Sequence, residues 1–442
     1  MKKYIILIGL FTSVQFWAQE SMTLPKAIAI GLENNFAIKI SDKNIEIADN
    51  NNSWAMAGKT PTLDLNGTFS NSYTNDNNPA SFLQGAFYNG SLGGSLDAQW
   101  LVLNGGRVRI LKNQFESLAD RERLSRDQQI HDLLRDIATQ YYGVILQEER
   151  LEALREIFEL SKDRFAYEQT KKEYGASNSY NLIQFKNNIV SDSTNLINQE
   201  IQIEITKRDF YQLLDMIDLV EYSFDEKLIT LPETMDREAL QEKLTEKNYT
   251  LKTLIILQGL SQLNSQLEES ARKPTLAITG SLGFSENGFK FFADNPNTGD
   301  PFEFIFSNRF NARLGANLNW NLYDGGVIKT NIKNAKIQEE INQLSYLDAQ
   351  AELSTQLDIL LSNYNNQIEL VKLSETQFSL SEENLLMTEE RFKAGQVSSL
   401  DYRNVQNQLL NATFNKVNTV YQLILAKIDI DYLVGSFEEV EE

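Results

Sequence analysis

The chain contains no cysteine in 442 residues and a single histidine, His131. The first absence excludes disulfides, thiol nucleophiles, cysteine-ligated metals and a cysteine-borne lipid anchor. The second removes the raw material of most histidine-dependent catalysis and zinc chemistry. Basic residues are also in short supply: 41 Lys and Arg face 61 Asp and Glu, a net charge of −20. No basic excess exists to displace counterions from phosphates, so nucleic acid is excluded as a partner, and the acidic surface suits cations instead. Only 7 prolines interrupt the chain and 42% of it is hydrophobic, which argues for long regular segments rather than a disordered polymer. Carboxylate pairs abound, yet on acidic helices they solvate a face more often than they catalyse. The chain is therefore not read as an enzyme, and neither cofactor nor metal is expected. His131 has no second histidine with which to share a metal and reads as a solvated residue of a long helix.

At the start, Lys2 and Lys3 precede an apolar run from Tyr4 to Phe11, and Ala18 stands before Gln19. This is the pattern of a secretory signal cleaved near 18/19. The run is short for a bilayer span, and no stretch of about 18 apolar residues follows downstream. Any membrane crossing must then use strands.

Length alone suggests about three domains of roughly 150 residues, but the sequence repeats itself, and repetition overrides that prior. Trp100-Leu-Val-Leu-Asn-Gly105-Gly106 recurs as Trp320-Asn-Leu-Tyr-Asp-Gly325-Gly326, where 320 − 100 gives an offset of 220. The same offset carries Tyr174-Gly175 onto Ala394-Gly395 and Ser179 onto Ser399. Upstream, Asn35-Phe36 and Pro61-Thr-Leu63 match Asn248-Tyr249 and Pro274-Thr-Leu276, where 248 − 35 gives 213. The difference between the offsets places a seven-residue insertion between Pro274 and Trp320, as loops accept. The expected organisation is a signal peptide at 1–18, a first repeat at 19–218, a linker at 219–237, a second repeat at 238–435 and an acidic tail at 436–442.

Within each repeat the hydrophobic period changes from about 3.5 to 2 and back. Leu134, Ile137, Tyr141, Val144, Leu151, Leu154, Phe158 and Phe165 step by threes and fours or their sums, as do Leu357, Leu360, Tyr364, Ile368, Val371, Phe378, Leu385 and Phe392, and both read as coiled-coil seams. No proline falls in 105–175 or 325–395, so each is expected to be one helix of about 70 residues and, at about 1.5 Å per residue, about 105 Å long. Companion helices are expected at 23–58, 176–218, 238–272 and 396–434.

Four stretches alternate instead. Leu63, Leu65, Phe69 and Tyr73 oppose Asp64, Asn66, Thr68, Ser70 and Ser72, and strands are expected likewise at 92–102, 276–284 and 304–322. Strands of about 9 to 11 residues span an outer membrane when tilted, with an apolar lipid face and a polar lumen face. Trp100 and Trp320 sit at matching strand ends, where indoles favour a membrane interface. Four strands cannot close a barrel, and exposed edges are not tolerated in lipid, so chains must pool strands; three chains supply twelve. The pairs Gly105-Gly106 and Gly325-Gly326 lie where strand turns into helix and the chain must be re-aimed. The stretches 74–90 and 286–303 read as outward loops.

The chain resembles the TolC-type outer-membrane efflux duct family over essentially the whole of 19–442. The carrying features are Leu24-x-x-Ala27-Ile28 with Asn34-Asn35, the echo around Asn248, both Trp-x-x-x-(Asn/Asp)-Gly-Gly junctions, and Arg391-Phe392-Lys393-Ala394-Gly395 leading into Ser399-Leu400-Asp401. The resemblance implies an α+β membrane fold: a homotrimer with a twelve-stranded transmembrane β-barrel, continuous with a long periplasmic α-helical coiled-coil barrel. It implies a passive exit duct in outer-membrane lipid, docked to a periplasmic adaptor and an inner-membrane pump of the RND or ABC type. It further places adaptor contacts at the tips, at Tyr174, Gly175, Ser179, Phe392, Gly395 and Ser399. The entrance constriction falls at Asp401 and Asn404, with Asn181 and Gln184 as first-repeat equivalents. Three symmetry-related Asp401 carboxylates would attract cations; the alternative is that Asp401 only caps its helix. The competing reading for the whole chain is a secreted structural or adhesive coiled-coil protein with a soluble β cap.

Overall fold

The computed structural model describes residues 20–78, 85–216, 222–229, 233–294 and 298–437. The expected signal peptide lies outside these residues, as does the tail beyond Phe437. The elements run α1 (Leu24–Asn34), α2 (Phe36–Asn51), β1 (Thr62–Asp76), β2 (Gly85–Asn104), α3 (Arg107–Glu173), α4 (Ser179–Leu213), α5 (Arg237–Lys247), α6 (Tyr249–Ser270), β3 (Thr275–Phe291), β4 (Ile305–Asn319), α7 (Val327–Lys393) and α8 (Ser399–Val434). The second half repeats the order of the first. Both α3 and α7 are uninterrupted helices of 67 residues.

The companion helices at 23–58 and 238–272 are each broken in two, and the repeated asparagine is the reason. Asn35 and Asn248 leave the helical region (φ −57, ψ 119 and φ −59, ψ 126). Their side-chain oxygens accept from the amides of Ile38 and Leu251, each at 3.1 Å, so each caps the helix that follows. Asn248 also donates to the carbonyl of Leu433 at 2.9 Å.

Two compact units result, and neither is a sequence repeat: each repeat contributes to both. One unit comprises the residues up to Ile40, Arg126–Leu251 and those from Ala349 on; the other comprises Ser41–Ser125 and Lys252–Asp348.

The first unit is helical. Its core gathers Ile137, Tyr141, Val144 and Ile145 of α3, Phe210 of α4, Leu244 of α5 and Leu423, Ile430 and Leu433 of α8. The expected linker takes part, since Tyr222, Phe224 and Leu228 are buried on this core. The Met22 amide donates to the carbonyl of Ser223 at 2.9 Å, tying the linker to the chain start. The Tyr141 hydroxyl donates to the Glu226 carboxylate at 2.6 Å; burial first and that carboxylate second push the phenol up. His131 is not solvated. It is 3% exposed, stacked on Tyr432 at 4.9 Å and edged by Phe437 at 5.4 Å, because the α3 face that carries it packs on the end of α8. Ser436 and Phe437, expected in the tail, are buried here.

The second unit holds one antiparallel sheet in the order β1-β2-β3-β4. The first three strands, of 15, 20 and 17 residues, exceed their expected bounds, whereas the fourth, of 15 residues, falls short of 304–322; the expected loop at 74–90 is shortened from both sides and that at 286–303 from the β3 side alone. Pro61 and Pro274 stand just before β1 and β3, and proline donates nothing to a ladder. Thr275 pairs with Asn319, so the fourth strand ends there and Trp320 and Leu322 fall beyond it. On one sheet face Leu65, Phe69, Phe310 and Leu314 stay exposed, Leu65 and Leu314 at 82%. On the other, Asp97 accepts from Ser281 at 2.6 Å, Ser95 at 2.6 Å and Asn66 at 3.0 Å, joining three strands through one carboxylate. Among the described residues no helix is long and apolar enough to cross a membrane.

Candidate functional site

Each repeat ends its long helix in the same way. The amides of Gly175 and Ala176 donate to the carbonyls of Lys172 and Lys171, and those of Gly395 and Gln396 to Phe392 and Arg391. Both glycines have φ +71, the left-handed conformation this double bond requires and an L side chain resists. The next helix then starts on a capped turn. Asn178 accepts from the amide of Asn181 at 2.9 Å, and Ser398 accepts from that of Asp401 at 3.2 Å. Only the second repeat closes the box: the Asp401 carboxylate accepts in return from the Ser398 amide at 3.1 Å and its hydroxyl at 2.7 Å. These bonds from Ser398 hold the Asp401 carboxyl below the usual carboxylate range.

Asp401 and Asn404 are exposed one helical turn apart on α8, while Asn181 and Gln184 are half-buried at the matching places on α4. Tyr174, Gly175, Ser179 and Gly395 are exposed at the two tips, and Ser399 is half-buried. Phe392 differs from expectation. It is 6% exposed, with its ring against Tyr402 at 5.3 Å, Phe185 at 5.9 Å and Tyr167 at 6.4 Å. Its helix position turns the ring inward, so it packs the tip from within.

Beneath the tips lies a polar network that the hydrophobic reading missed. Arg403 of α8 grips Asp192 of α4 with two bonds, of 2.6 and 2.8 Å. Ser161 of α3 donates to the same carboxylate at 2.7 Å. Arg164 of α3 donates to the Tyr402 hydroxyl at 3.0 Å and pairs with Glu389 of α7. Burial opposes ionisation of Glu389, but the bonds from Lys393 and Arg164 outweigh it and hold the carboxyl low. Burial pushes the Tyr402 phenol up, against the pull of Arg164. The expected seam ran through Phe158 and Phe165, which are only half-buried; the buried positions are Ile157, Ser161, Arg164 and Glu168. Steps of four, three and four from Ile157 would have revealed them, had polar residues been admitted to the pattern. Ser177 of the first tip in turn donates to Glu168, fastening the loop to α3.

In the sheet unit, the strand-to-helix junctions are built twice. Gly105, Gly106, Gly325 and Gly326 all have positive φ, from +65 to +94. Asn104 and Asp324 cap the helices behind them, accepting from Val108 at 3.4 Å and Ile328 at 2.7 Å. Trp100 lies inside β2 and Trp320 just past β4. Their indoles donate to the carbonyls of Lys59 at 2.9 Å and Arg272 at 3.0 Å, where 272 − 59 again gives 213. Each indole thus ties a strand end to the chain entering the preceding hairpin.

Residues 28–215 and 242–436 match the family described as outer membrane efflux protein. Outer membrane protein TolC of Vibrio cholerae is 24% identical over 319 residues, covering 70% of this chain and 68% of that protein. The Campylobacter jejuni CmeC outer membrane channel superposes with a TM-score of 0.74 at 16% identity, covering 100% of this chain and 96% of that one. The Neisseria gonorrhoeae MtrE outer membrane channel, solved in its open state, gives 0.71 at 15% identity, covering 93% and 88%.

Proposed function

The chain belongs to the outer membrane efflux protein family, and from that premise we propose that three copies form one exit duct, gated at the paired helix tips. The protein is an outer-membrane channel and not an enzyme. The observation that carries the duct is the sheet: four strands with both edges unpaired among the described residues and with Leu65, Phe69, Phe310 and Leu314 exposed on one face. In water such a surface invites aggregation; in lipid it is the expected outer wall, provided the edges close on other copies. Three copies bring twelve strands, and the helical part of each lies in the periplasm.

At the helix tips, Tyr174, Gly175, Ser179, Gly395 and Ser399 form the rim offered to a periplasmic adaptor, through which an inner-membrane pump delivers its cargo. Asp401 and Asn404, with Asn181 and Gln184, line the entrance. Because Asp401 stays ionised through its bonds to Ser398, three copies would place three negative charges around one axis and favour cations. The capping role is no rival to this, since a capping carboxylate at the surface still carries its charge.

Reconstitution of the full-length protein in planar bilayers tests both parts. Wild-type protein is expected to form cation-preferring channels, and Asp401→Ala to lower that preference while leaving channels open. An unchanged preference removes Asp401 from the filter. Failure of the wild type to insert or conduct removes the duct.

A further inference from the structure

The two hairpins of the sheet are superimposable in register, and this determines how the free edges meet. In the first hairpin Thr62 faces Gln99 and Asp76 faces Gly85; in the second Thr275 faces Asn319 and Phe289 faces Ile305. Thus 275 − 62 and 289 − 76 both give 213, and 319 − 99 and 305 − 85 both give 220. The shifts found in the sequence hold for every pair along the ladder. Between the hairpins, β2 meets β3 with Gly93 facing Ser285 and Asn89 facing Phe289.

We propose that β4 of one protomer pairs with β1 of the next in the register of this internal seam, so that Arg313 faces the partner's Ser72 and Arg309 faces the partner's Asp76. The proposal rests on the trimeric duct. It follows by adding 220 to each β2 residue and subtracting 213 from each β3 residue: 93 + 220 = 313 and 285 − 213 = 72, and likewise 89 + 220 = 309 and 289 − 213 = 76. A ring of six equivalent hairpins has one kind of seam, and the chain displays it once between β2 and β3.

Charge supports this register independently. Arg309 and Arg313 are exposed on the polar face of edge strand β4, opposite the uncharged Ser285 and Ser281 within the chain. Asp76 ends edge strand β1 opposite Gly85, on the same polar face. A slip of one residue would bring polar and apolar faces together. A slip of two in either direction sets Arg309 against Thr74 or Asn78 and Arg313 against Ser70 or Thr74, with no acid facing either guanidinium. Only the unslipped register of these three neutralises a charge across the seam, and opposite charges directly across strands attract. It also pairs residues 309–319 with 66–76, a length sufficient to span the apolar layer.

A chain without cysteine gives a clean background for disulfide mapping. The test uses full-length protein in outer membranes, oxidised with copper phenanthroline. The double variants are Ser72→Cys with Arg313→Cys on the polar face and Asn71→Cys with Leu314→Cys on the apolar face. Facing strand residues lie about 4.5–5.5 Å apart and diagonal ones about 7–8 Å, beyond easy disulfide reach. Both in-register variants are expected to give covalent dimers and trimers on denaturing gels, at least tenfold faster than the slipped pairs Ser70→Cys with Arg313→Cys and Thr74→Cys with Arg313→Cys. Arg309→Glu is expected to weaken the assembly, and Arg309→Glu with Asp76→Arg to restore it. Faster linking of a slipped pair, or no linking of any pair, in protein that native mass measurement shows to be trimeric overturns the register and leaves the duct standing. A monomeric wild type overturns the duct itself.

Discussion

Arg403→Ala should loosen the helix tips more than any other single truncation there. The Asp192 side chain is 3% accessible and receives two bonds from Arg403, of 2.6 and 2.8 Å. Truncating the arginine leaves the carboxylate buried with only the Ser161 hydroxyl at 2.7 Å. An ion left alone in this way costs about 3–5 kcal/mol. At about 1.4 kcal/mol per decade, local opening would rise by roughly a hundredfold to a few thousandfold. Amide hydrogen exchange of full-length protein at 179–195 and 399–410 reads this directly. Arg403→Lys keeps the charge but not the two-pronged geometry, so it should fall between. Replacing the pair together, Asp192→Leu with Arg403→Met, removes both the ion and its partner and should return exchange to within about tenfold of wild type. Less than tenfold acceleration in Arg403→Ala, or a double variant as fast as the single, would refute the reasoning.

Asn35→Ala and Asn248→Ala each remove a helix cap and should cost about 1 kcal/mol; Asn248→Ala should cost more, because it also frees the Leu433 carbonyl, as thermal unfolding would show. Gly105→Ala should be worse than Gly325→Ala at like φ, since its methyl would meet the Ser270 carbonyl at 2.7 Å whereas Gly325 faces open space. Expression and melting of the two variants test that difference, and equal behaviour would refute it. The tips should also loosen in acid. Glu389 and Asp401 have lowered carboxyl pKa values. Their contribution is therefore full above the ordinary carboxylate range and lost as pH falls through the lowered values. Tip exchange, corrected for its intrinsic pH dependence, should be flat down to about pH 5 and rise below about pH 4. Asp401→Asn should flatten part of that rise.

Much of the fold was legible because two periods differ so plainly. Alternation from Leu63 to Tyr73 and steps of three and four from Leu134 to Leu154 reflect backbone geometry, which every residue of a strand or helix must obey. The duplication was legible for the same reason, since Gly175 and Gly395 occupy places where only a left-handed residue ends the helix. The candidate site was less so. The tips were found through glycine, whereas Arg164, Asp192 and Arg403 were passed over because charged residues are seldom assigned to a buried seam.

Sequence by itself determined the strands, the long helices, their order and their repetition, for these are set by local geometry and by spacing along the chain. Tertiary structure alone decided that Phe392 and His131 turn inward, that the linker packs on the core, and that Arg403 reaches Asp192 across 211 residues. Those outcomes depend on which faces meet, and a single strand of text records a residue's neighbours in the chain but not the ones that folding brings against it.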